Sequence, residues 1–134
     1  NGDVAMGQKV FEANCTSCHA IKNLKGVDFG PNLNTLKSRN ALSIITEIIN
    51  PNNSIADKYG QWEVEKTDGT RLTGIITSEN NQSIALKLMG GTVQNIEKTR
   101  IKSKRDMRVS AMPNGLEGNI NLKAMADLLA YIKK

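Results

Sequence analysis

The spacing of hydrophobic residues divides the chain into three helical stretches and one stretch of alternating residues. Apolar side chains recur at helical intervals near residues 4–14, 41–49 and 122–133, each stretch preceded by a residue that can cap a helix (Asp3, Asn40, Asn121). Between residues 60 and 105 apolar and polar positions alternate, and Asp68-Gly69 marks a hairpin turn. The sequence therefore predicts a single, mainly α-helical domain over residues 1–134, with a small antiparallel β-sheet of four to five strands inserted at residues 60–105.

Each predicted helix carries an apolar stripe that we expect to face the core. The stripes are Met6, Val10 and Ala13 in the first helix, Leu42, Ile45 and Ile49 in the second, and Leu122, Met125, Ala126, Leu129 and Ile132 in the third. Gly7 and Phe11 lie four residues apart beside the first stripe. Since glycine is unfavourable inside a helix, we expect another helix to approach closely there. Trp62, in an alternating strand, is predicted to anchor the core of the sheet.

Length and composition exclude several classes of protein. A chain of 134 residues is large enough for one domain with its own core. No stretch approaches the roughly 20 apolar residues that a membrane-spanning helix needs, so we expect no membrane span. The net charge of +5 suits an acidic partner but is too small to indicate nucleic acid on its own. Aromatic residues are only 4% of the chain, which leaves room in the core for a large non-protein apolar group.

Both cysteines and the single histidine lie within one pentapeptide, Cys15-Thr16-Ser17-Cys18-His19. This is the C-x-x-C-H pattern of covalent attachment of a c-type haem, in which two thioethers hold the porphyrin and the imidazole ligates iron. Other interpretations are weaker. A disulfide would close only a tiny loop, and zinc needs a second Cys/His cluster. A redox dithiol, usually found near a βαβ pattern, is the main alternative. We therefore predict one haem c, with His19 as the proximal iron ligand.

A methionine sulfur is the expected ligand on the distal side of the iron, because the only histidine is already assigned. Three methionines are less suitable because they lie on helical stripes or beside a turn (Met6, Met125, Met89). Met112 lies in a loop between the sheet and the last helix, where Pro113 would stiffen the backbone. We predict Met112 as the distal ligand, with Met107, which lies among charged residues, as the alternative.

Together these residues resemble a class I cytochrome c. In that family a Gly and an aromatic residue of the N-terminal helix pack against an aromatic residue of the C-terminal helix, matching Gly7, Phe11 and Tyr131. A Pro after the haem motif gives its carbonyl to the proximal imidazole, which matches Pro31, and a Met followed by Pro is the distal ligand. The resemblance implies a cytochrome c-like helical haem domain whose cofactor-binding residues are Cys15, Cys18, His19, Pro31 and Met112, with His19 and Met112 on the iron.

A narrower resemblance covers nearly the whole chain. The Pirellula/Verrucomicrobium-type haem-binding domain, a cytochrome c with strands inserted before the methionine loop, contains similar segments in the same order: Asn50-Pro51-Asn52, Asp68-Gly69-Thr70, Thr73-Gly74, Met112–Leu116 and Ala126–Tyr131. Asn50 is a departure, since that family commonly has Asp there. Such domains often form the C-terminal part of larger exported proteins with sugar-dehydrogenase-like propellers. The resemblance therefore implies a fused dehydrogenase domain as one possible electron donor.

Basic residues recur at every second position from 98 to 104, so a regular strand would place all four on one face (Lys98, Arg100, Lys102, Lys104). Arg105 and Arg108 extend this set. One interpretation is a solvated edge strand that resists aggregation. The other is a docking face for an acidic redox partner, or a set of donors to the haem propionates. Without interleaved aromatic residues, we expect no nucleic acid as a partner.

The sequence thus predicts a mono-haem c-type cytochrome domain that carries single electrons from a dehydrogenase to a downstream acceptor. We do not expect an enzyme, because two axial ligands leave no open iron site for a substrate. One alternative is a haem-based ligand sensor or peroxidase with a labile distal methionine, and another is a binding module built on the sheet. Covalent haem attachment normally happens outside the reducing cytoplasm, so we expect the protein to be periplasmic or otherwise exported.

Overall fold

The computed structural model describes residues 1–21, 26–53, 55 and 59–134. Its α-helices are α1 (Val4–Asn14), α2 (Ala41–Ile49) and α3 (Leu122–Lys133). Its strands are β1 (Gly60–Lys66), β2 (Arg71–Glu79), β3 (Ser83–Leu88), β4 (Val93–Glu97) and β5 (Ile101–Ser110). Short 3₁₀ helices lie at Leu33–Ser38, Lys98–Arg100 and Leu116–Asn119. No helix in these described ranges is long and apolar enough to cross a membrane.

The prediction of a mainly α-helical fold is wrong. The structure is 36% helical and 30% strand, and its strands form one five-stranded antiparallel sheet. The chain divides into two compact units, a helical unit of residues 1–54 and 112–134 and a sheet unit of residues 55–111. The description fails because the strands, with β5 continuing to Ser110 beyond the predicted end at residue 105, make up nearly as large a share of the structure as the helices.

The three helices begin and end where the sequence predicted, because their first turns are capped by the expected side chains. The side chain of Asp3 accepts a hydrogen bond from the Met6 backbone N–H at the start of α1. Asn40 caps α2 and Asn121 caps α3 in the same way. Each of these bonds satisfies a backbone donor that has no partner within the helix.

Helices α1 and α3 pack against each other through a very close backbone approach. A Cβ atom at Gly7 would overlap the Asp127 carbonyl oxygen and lie 2.8 Å from the Tyr131 Cβ atom. One turn further along α1, the ring centroid of Phe11 is 5.7 Å from that of Tyr131, with the planes tilted by 53°. The close helix approach predicted at Gly7 is therefore confirmed, and it sets the position of the residues that follow α1.

The predicted core-facing stripes are only partly correct. Helix α2 buries Ile44 and Ile48, whereas Leu42 of the predicted stripe is 70% exposed. The apolar face of α2 is wide and includes Leu42 as well as Ile44 and Ile48, so the spacing predicts this face but not which of its edges is buried. Likewise α1 buries Gly7 and Phe11 rather than the stripe through Met6. The core of the helical unit consists of Phe11, Ile21, Ile44, Ile48, Ile120, Met125, Leu128, Tyr131 and Ile132.

The sheet curls around a second core. Its strand order is β4-β3-β2-β1-β5, so the two outermost strands are joined directly by the three residues Lys98–Arg100. Five flat strands would place these edges about 19 Å apart, whereas the connection from Glu97 to Ile101 can extend to only about 14 Å. The sheet must therefore bend, and it encloses Val64, Ile84, Leu86 and Ile96.

Two predictions about the sheet need correction. Trp62 is half-buried rather than a core anchor, and the ammonium of Lys104 lies 5.3 Å from its ring centroid. The four alternating basic residues do not share a face, because Lys98 and Arg100 lie in a 3₁₀ helix. In β5 a bulge makes Lys102 an extra residue between the pairs Lys66–Ile101 and Glu65–Ser103, which changes the alternation of side chains.

Each of the four alternating basic residues also forms an ion pair within the sheet unit. Lys102 lies 3.8 Å from Glu65, and Arg100 lies 3.8 Å from Glu97. Both Lys98 and Lys104 contact Glu79. The positive charges predicted to form one docking face are therefore partly neutralised, and of the four only Lys98 and Lys104 share a partner.

Gly7→Ala should destabilise the helical unit, because the added methyl group has no space between α1 and α3. We expect the free energy of unfolding to fall by about 1–3 kcal/mol, the usual cost of overpacking. Gly118→Ala is the matched control, since a Cβ at Gly118 meets no atom within 4 Å. Thermal or urea unfolding of both variants tests this, and equal stability of the two would contradict the packing described here.

Asp127→Asn should make the helical unit less stable at neutral pH and less sensitive to acid. The buried Asp127 carboxylate accepts hydrogen bonds from the Asp3 backbone N–H at 2.7 Å and from Lys123 Nζ at 2.5 Å, and these hold its pKa below the ordinary value. A lowered carboxyl pKa contributes stability above about pH 3.9, and that stability is lost as the pH falls through the folded-state pKa.

Melting temperatures measured from neutral to acid pH test this prediction. The difference between the wild type and Asp127→Asn should be largest near pH 7 and shrink on acidification. Glu117→Gln, at an exposed position in the same unit, should show no such convergence. A difference for Asp127→Asn that stays constant with pH would mean that the charge of Asp127 does not stabilise the fold.

Candidate functional site

The Cys-His pentapeptide follows directly after α1, and its backbone continues the last turn of that helix. Cys15 is the C-terminal cap of α1, and its N–H donates to the Phe11 carbonyl at 2.8 Å. The N–H groups of Cys18 and His19 both donate to the Cys15 carbonyl, at 3.1 Å and 2.9 Å. The packing of α1 against α3 therefore places the motif, because the motif turns immediately after the Phe11–Tyr131 contact.

The backbone of the segment from Val27 to Leu33 forms hydrogen bonds with the backbone of the motif and of Ala20. The Val27 N–H donates to the Thr16 carbonyl at 2.9 Å, and the Gly30 N–H donates to the Cys18 carbonyl at 2.6 Å. Beyond the histidine, the Leu33 N–H donates to the Ala20 carbonyl at 3.0 Å. These bonds give the carbonyl groups of the motif and of Ala20 hydrogen-bond partners in a region without regular secondary structure. They also bring the loop against the His19 side chain.

The His19 ring is oriented by one hydrogen bond across this loop. Its Nδ1 lies 2.7 Å from the Pro31 carbonyl oxygen, which is the contact that the resemblance implied. Because a carbonyl oxygen can only accept, Nδ1 carries the proton and Nε2 keeps its lone pair. Burial lowers the pKa of His19, and the hydrogen bond to Pro31 raises it by a smaller amount. Because the net effect is a lowered pKa, the imidazole is neutral near pH 7. A neutral ring with a free Nε2 lone pair is the form that ligates a metal.

Gly30 forms one wall of the space that holds the His19 ring. A Cβ atom at this position would lie 2.6 Å from Cε1, 3.0 Å from Nδ1 and 3.1 Å from Nε2 of the ring. A Cβ at Gly26 would likewise overlap the His19 carbonyl oxygen. Contact of these two glycines with the histidine was not predicted. The signal that could have identified them is the occurrence of two glycines within the short segment that leads to Pro31.

The two cysteines are free thiols beside the histidine. Cys15 packs against the core of the helical unit, and its burial, followed by the effect of Cys18, raises its pKa to about 11. Cys18 is half-buried, with the Ser17 hydroxyl oxygen 3.8 Å from its sulfur. The motif therefore offers two cysteine sulfurs and a neutral imidazole, a donor set that fits a porphyrin held by two thioethers and one nitrogen ligand.

The predicted distal ligand and its alternative lie in different units. Met112 is half-buried and packs against the core of the helical unit, which also contains His19. Met107 lies in β5 of the sheet unit. Met125 is buried in the helical core as predicted, whereas Met6 is 47% exposed and does not fill the core. The structure thus places Met112, but not Met107, in the same unit as the motif.

Comparison with known proteins gives one family. A family model described as Cytochrome c matches residues 4–85, more than half of the chain. The match includes α1, the whole Cys-His motif and Pro31, and it ends before Met112. A solved structure titled "1.55 A Crystal structure of the pleiotropic translational regulator, Hfq" is 18% identical, covering 48% of this chain and 97% of that chain. Its TM-score of 0.32 is too low to bear on the fold or function of this chain.

Gly30→Ala should disturb the His19 ring and with it the capacity of the motif to hold its cofactor. The added methyl group would push the ring away from the Pro31 carbonyl. We expect a smaller fraction of purified protein with covalent haem, measured by the haem-to-protein absorbance ratio. Gly118→Ala serves as the control and should match the wild type. Full haem occupancy in Gly30→Ala would show that the ring position is not fixed by this wall.

Proposed function

The chain belongs to the cytochrome c family, and we propose that it is a mono-haem domain that carries single electrons between a dehydrogenase and a downstream acceptor. Members of this family bind haem c covalently through cysteines, and Cys15, Cys18 and His19 form the matching motif. The protein is therefore a haem-binding electron-transfer protein. Proteins of this family are generally electron carriers rather than enzymes.

The hydrogen bond between His19 Nδ1 and the Pro31 carbonyl is the observation that carries the proposal. It supports His19 as the proximal ligand, because it leaves Nε2 as the only ring nitrogen with a free lone pair. A hydrogen bond to the ring nitrogen that is not on the metal also fixes the ring plane and raises the basicity of the ligand. In this proposal Pro31 acts through the imidazole and not on the iron itself.

The thiols of Cys15 and Cys18 would hold the porphyrin as thioethers, and haem supplies the iron couple that takes up and releases one electron. Cys15 is embedded against the helical core, so one attachment point would be part of the rigid packing between α1 and α3. A rigid attachment keeps the imidazole and the macrocycle at a fixed distance, which suits a carrier that must change oxidation state with little rearrangement.

We further propose Met112 as the distal ligand. Its position in the helical unit, packed against the core that surrounds the motif, favours it over Met107. A His/Met ligand set raises the reduction potential, which suits an acceptor of electrons from a dehydrogenase. With His19 and Met112 both bound to it, the haem iron would have no open site for a substrate.

The partner and the location are proposals that follow from the family. An electron carrier needs a redox partner, and the narrower resemblance supports a dehydrogenase, either separate or fused. The net charge of +5 supports an acidic partner surface, although the ion pairs of Lys98, Lys102 and Lys104 within the sheet reduce their share in it. Covalent haem attachment supports a periplasmic or otherwise exported location.

Met112→Ala and Met107→Ala form the pair of variants that tests the ligand assignment. The oxidised wild type should show the weak far-red sulfur-to-iron absorption band. Met112→Ala should lose this band and have a lower reduction potential, because loss of the thioether ligand removes the effect that raises it. Met107→Ala should keep both the band and the potential. Loss of the band in Met107→Ala alone would reverse the assignment.

Two further measurements on the wild type separate the proposal from its alternatives. The haem should stay with the protein in acidified organic solvent. The measured mass of the chain should exceed the mass calculated from its sequence by that of one haem. The reduced protein should not bind carbon monoxide at neutral pH, because both axial sites are filled. Rapid carbon monoxide binding would instead favour a ligand sensor or peroxidase with a labile methionine, and release of the pigment would refute covalent attachment.

A further inference from the structure

Three charged side chains of the sheet unit converge at one end of its apolar core. Lys98 Nζ lies 2.8 Å from Oε2 of Glu79, and Lys104 Nζ lies 3.0 Å from Oε1 of the same carboxylate. We call these residues the Glu79 cluster. Lys98 lies in the 3₁₀ helix after β4 and Lys104 in β5, so a single carboxylate at the end of β2 holds two ammonium groups from separate elements.

A cavity of about 240 Å³ opens at the Glu79 cluster. Besides the cluster itself, it is lined by Ile84 and Ile101. Ile84 is only 1% exposed and belongs to the core of the sheet, and Ile101 packs against that core. The cavity therefore has apolar side chains at its base and charged groups at its rim.

The charges of the rim favour an anion. Two ammonium groups and one carboxylate leave a net charge of +1, and each ammonium has three N–H donors. The hydrogen bonds from Lys98 and then Lys104 lower the pKa of Glu79, so the carboxylate remains ionised and keeps both lysines in place.

Glu79 can leave this position without disturbing the core. Its side chain is 37% exposed and lies at the last residue of β2, next to the turn that leads to β3. Rotation of the side chain toward water would expose both ammonium groups to the cavity. Glu79 thus occupies the place that an external carboxylate would take.

We propose that the Glu79 cluster is a binding site for a monoanionic carboxylate ligand with a short apolar chain. The ligand carboxylate replaces Glu79 between Lys98 and Lys104, and the apolar chain enters the cavity against Ile84 and Ile101. All residues of the site belong to the sheet unit. The site gives the sheet a recognition role that the electron-transfer function does not require.

The probe is hexanoate, compared with acetate, which lacks the apolar chain, and hexanol, which lacks the charge. Trp62 is the only tryptophan, and its ring faces the Lys104 ammonium, so its indole N–H gives one assigned NMR signal that reports on the cluster. In the reduced holoprotein, hexanoate should shift this signal saturably and bind at least about tenfold tighter than either comparison compound, since each lacks one of the two required contacts.

Variants separate charge recognition from adventitious binding. Lys98→Gln and Lys104→Gln should each weaken hexanoate binding by about tenfold, the effect of losing one charge-assisted hydrogen bond. Glu79→Gln should strengthen it, because the competing carboxylate is gone, and a gain of affinity cannot arise from misfolding. Arg71→Gln, which removes a charge that pairs with Glu63 and Glu65 outside the cavity, should have no effect.

Three results would overturn the proposal. The first is hexanoate binding no tighter than that of hexanol or acetate. The second is unchanged affinity in Lys98→Gln, a residue that does not contact the reporter ring. The third is weaker binding in Glu79→Gln, which would show that Glu79 holds the site together and does not compete for it.

Discussion

The hydrogen bond from His19 Nδ1 to the Pro31 carbonyl is the constraint on which the proposed haem site depends. It selects the tautomer with a free lone pair on Nε2, and it does so in a partly buried setting that lowers the histidine pKa. The bond exists only because the loop lies flat against the motif, held by backbone bonds from Gly30 to Cys18 and from Leu33 to Ala20. Gly30 is part of the same arrangement, since any side chain there would occupy the space of the ring.

The helical unit supplies the rigid base for this site. Gly7 allows α1 and α3 to touch through their backbones, and the Phe11–Tyr131 contact lies one turn before Cys15. Asp127 adds a polar tie, because its buried carboxylate binds the backbone N–H of Asp3 at the start of α1. The N-terminal and C-terminal segments of this unit are thus joined by packing and by a charge-assisted hydrogen bond.

The sheet unit follows a different structural principle and carries its own chemistry. Its three-residue connection between outermost strands forces curvature, and curvature creates an enclosed core of aliphatic residues without a large aromatic anchor. At the end of that core the structure places two lysines on one carboxylate. The proposed carboxylate site would give this unit a role separate from electron transfer.

The sequence by itself determined the chemistry of the motif and the limits of the helices, because both depend on neighbours within a few residues. The motif residues are close together because they lie within five consecutive positions of the chain (Cys15, Cys18, His19). The helix caps act through hydrogen bonds to backbone groups two or three residues away (Asp3, Asn40, Asn121). Only the tertiary structure decided which edge of the apolar face of α2 is buried, because that face is wide enough to hold both the buried Ile44 and the exposed Leu42. The tertiary structure also decided that Lys102 and Lys104 have different ion-pair partners, because of the bulge at Lys102 in β5. This bulge depends on the pairing of β5 with β1, and the alternation of polar and apolar residues in the sequence does not reveal it. The approach of Gly30 to the histidine ring is of the same kind, because contacts between residues distant in sequence are set by packing and not by local preference.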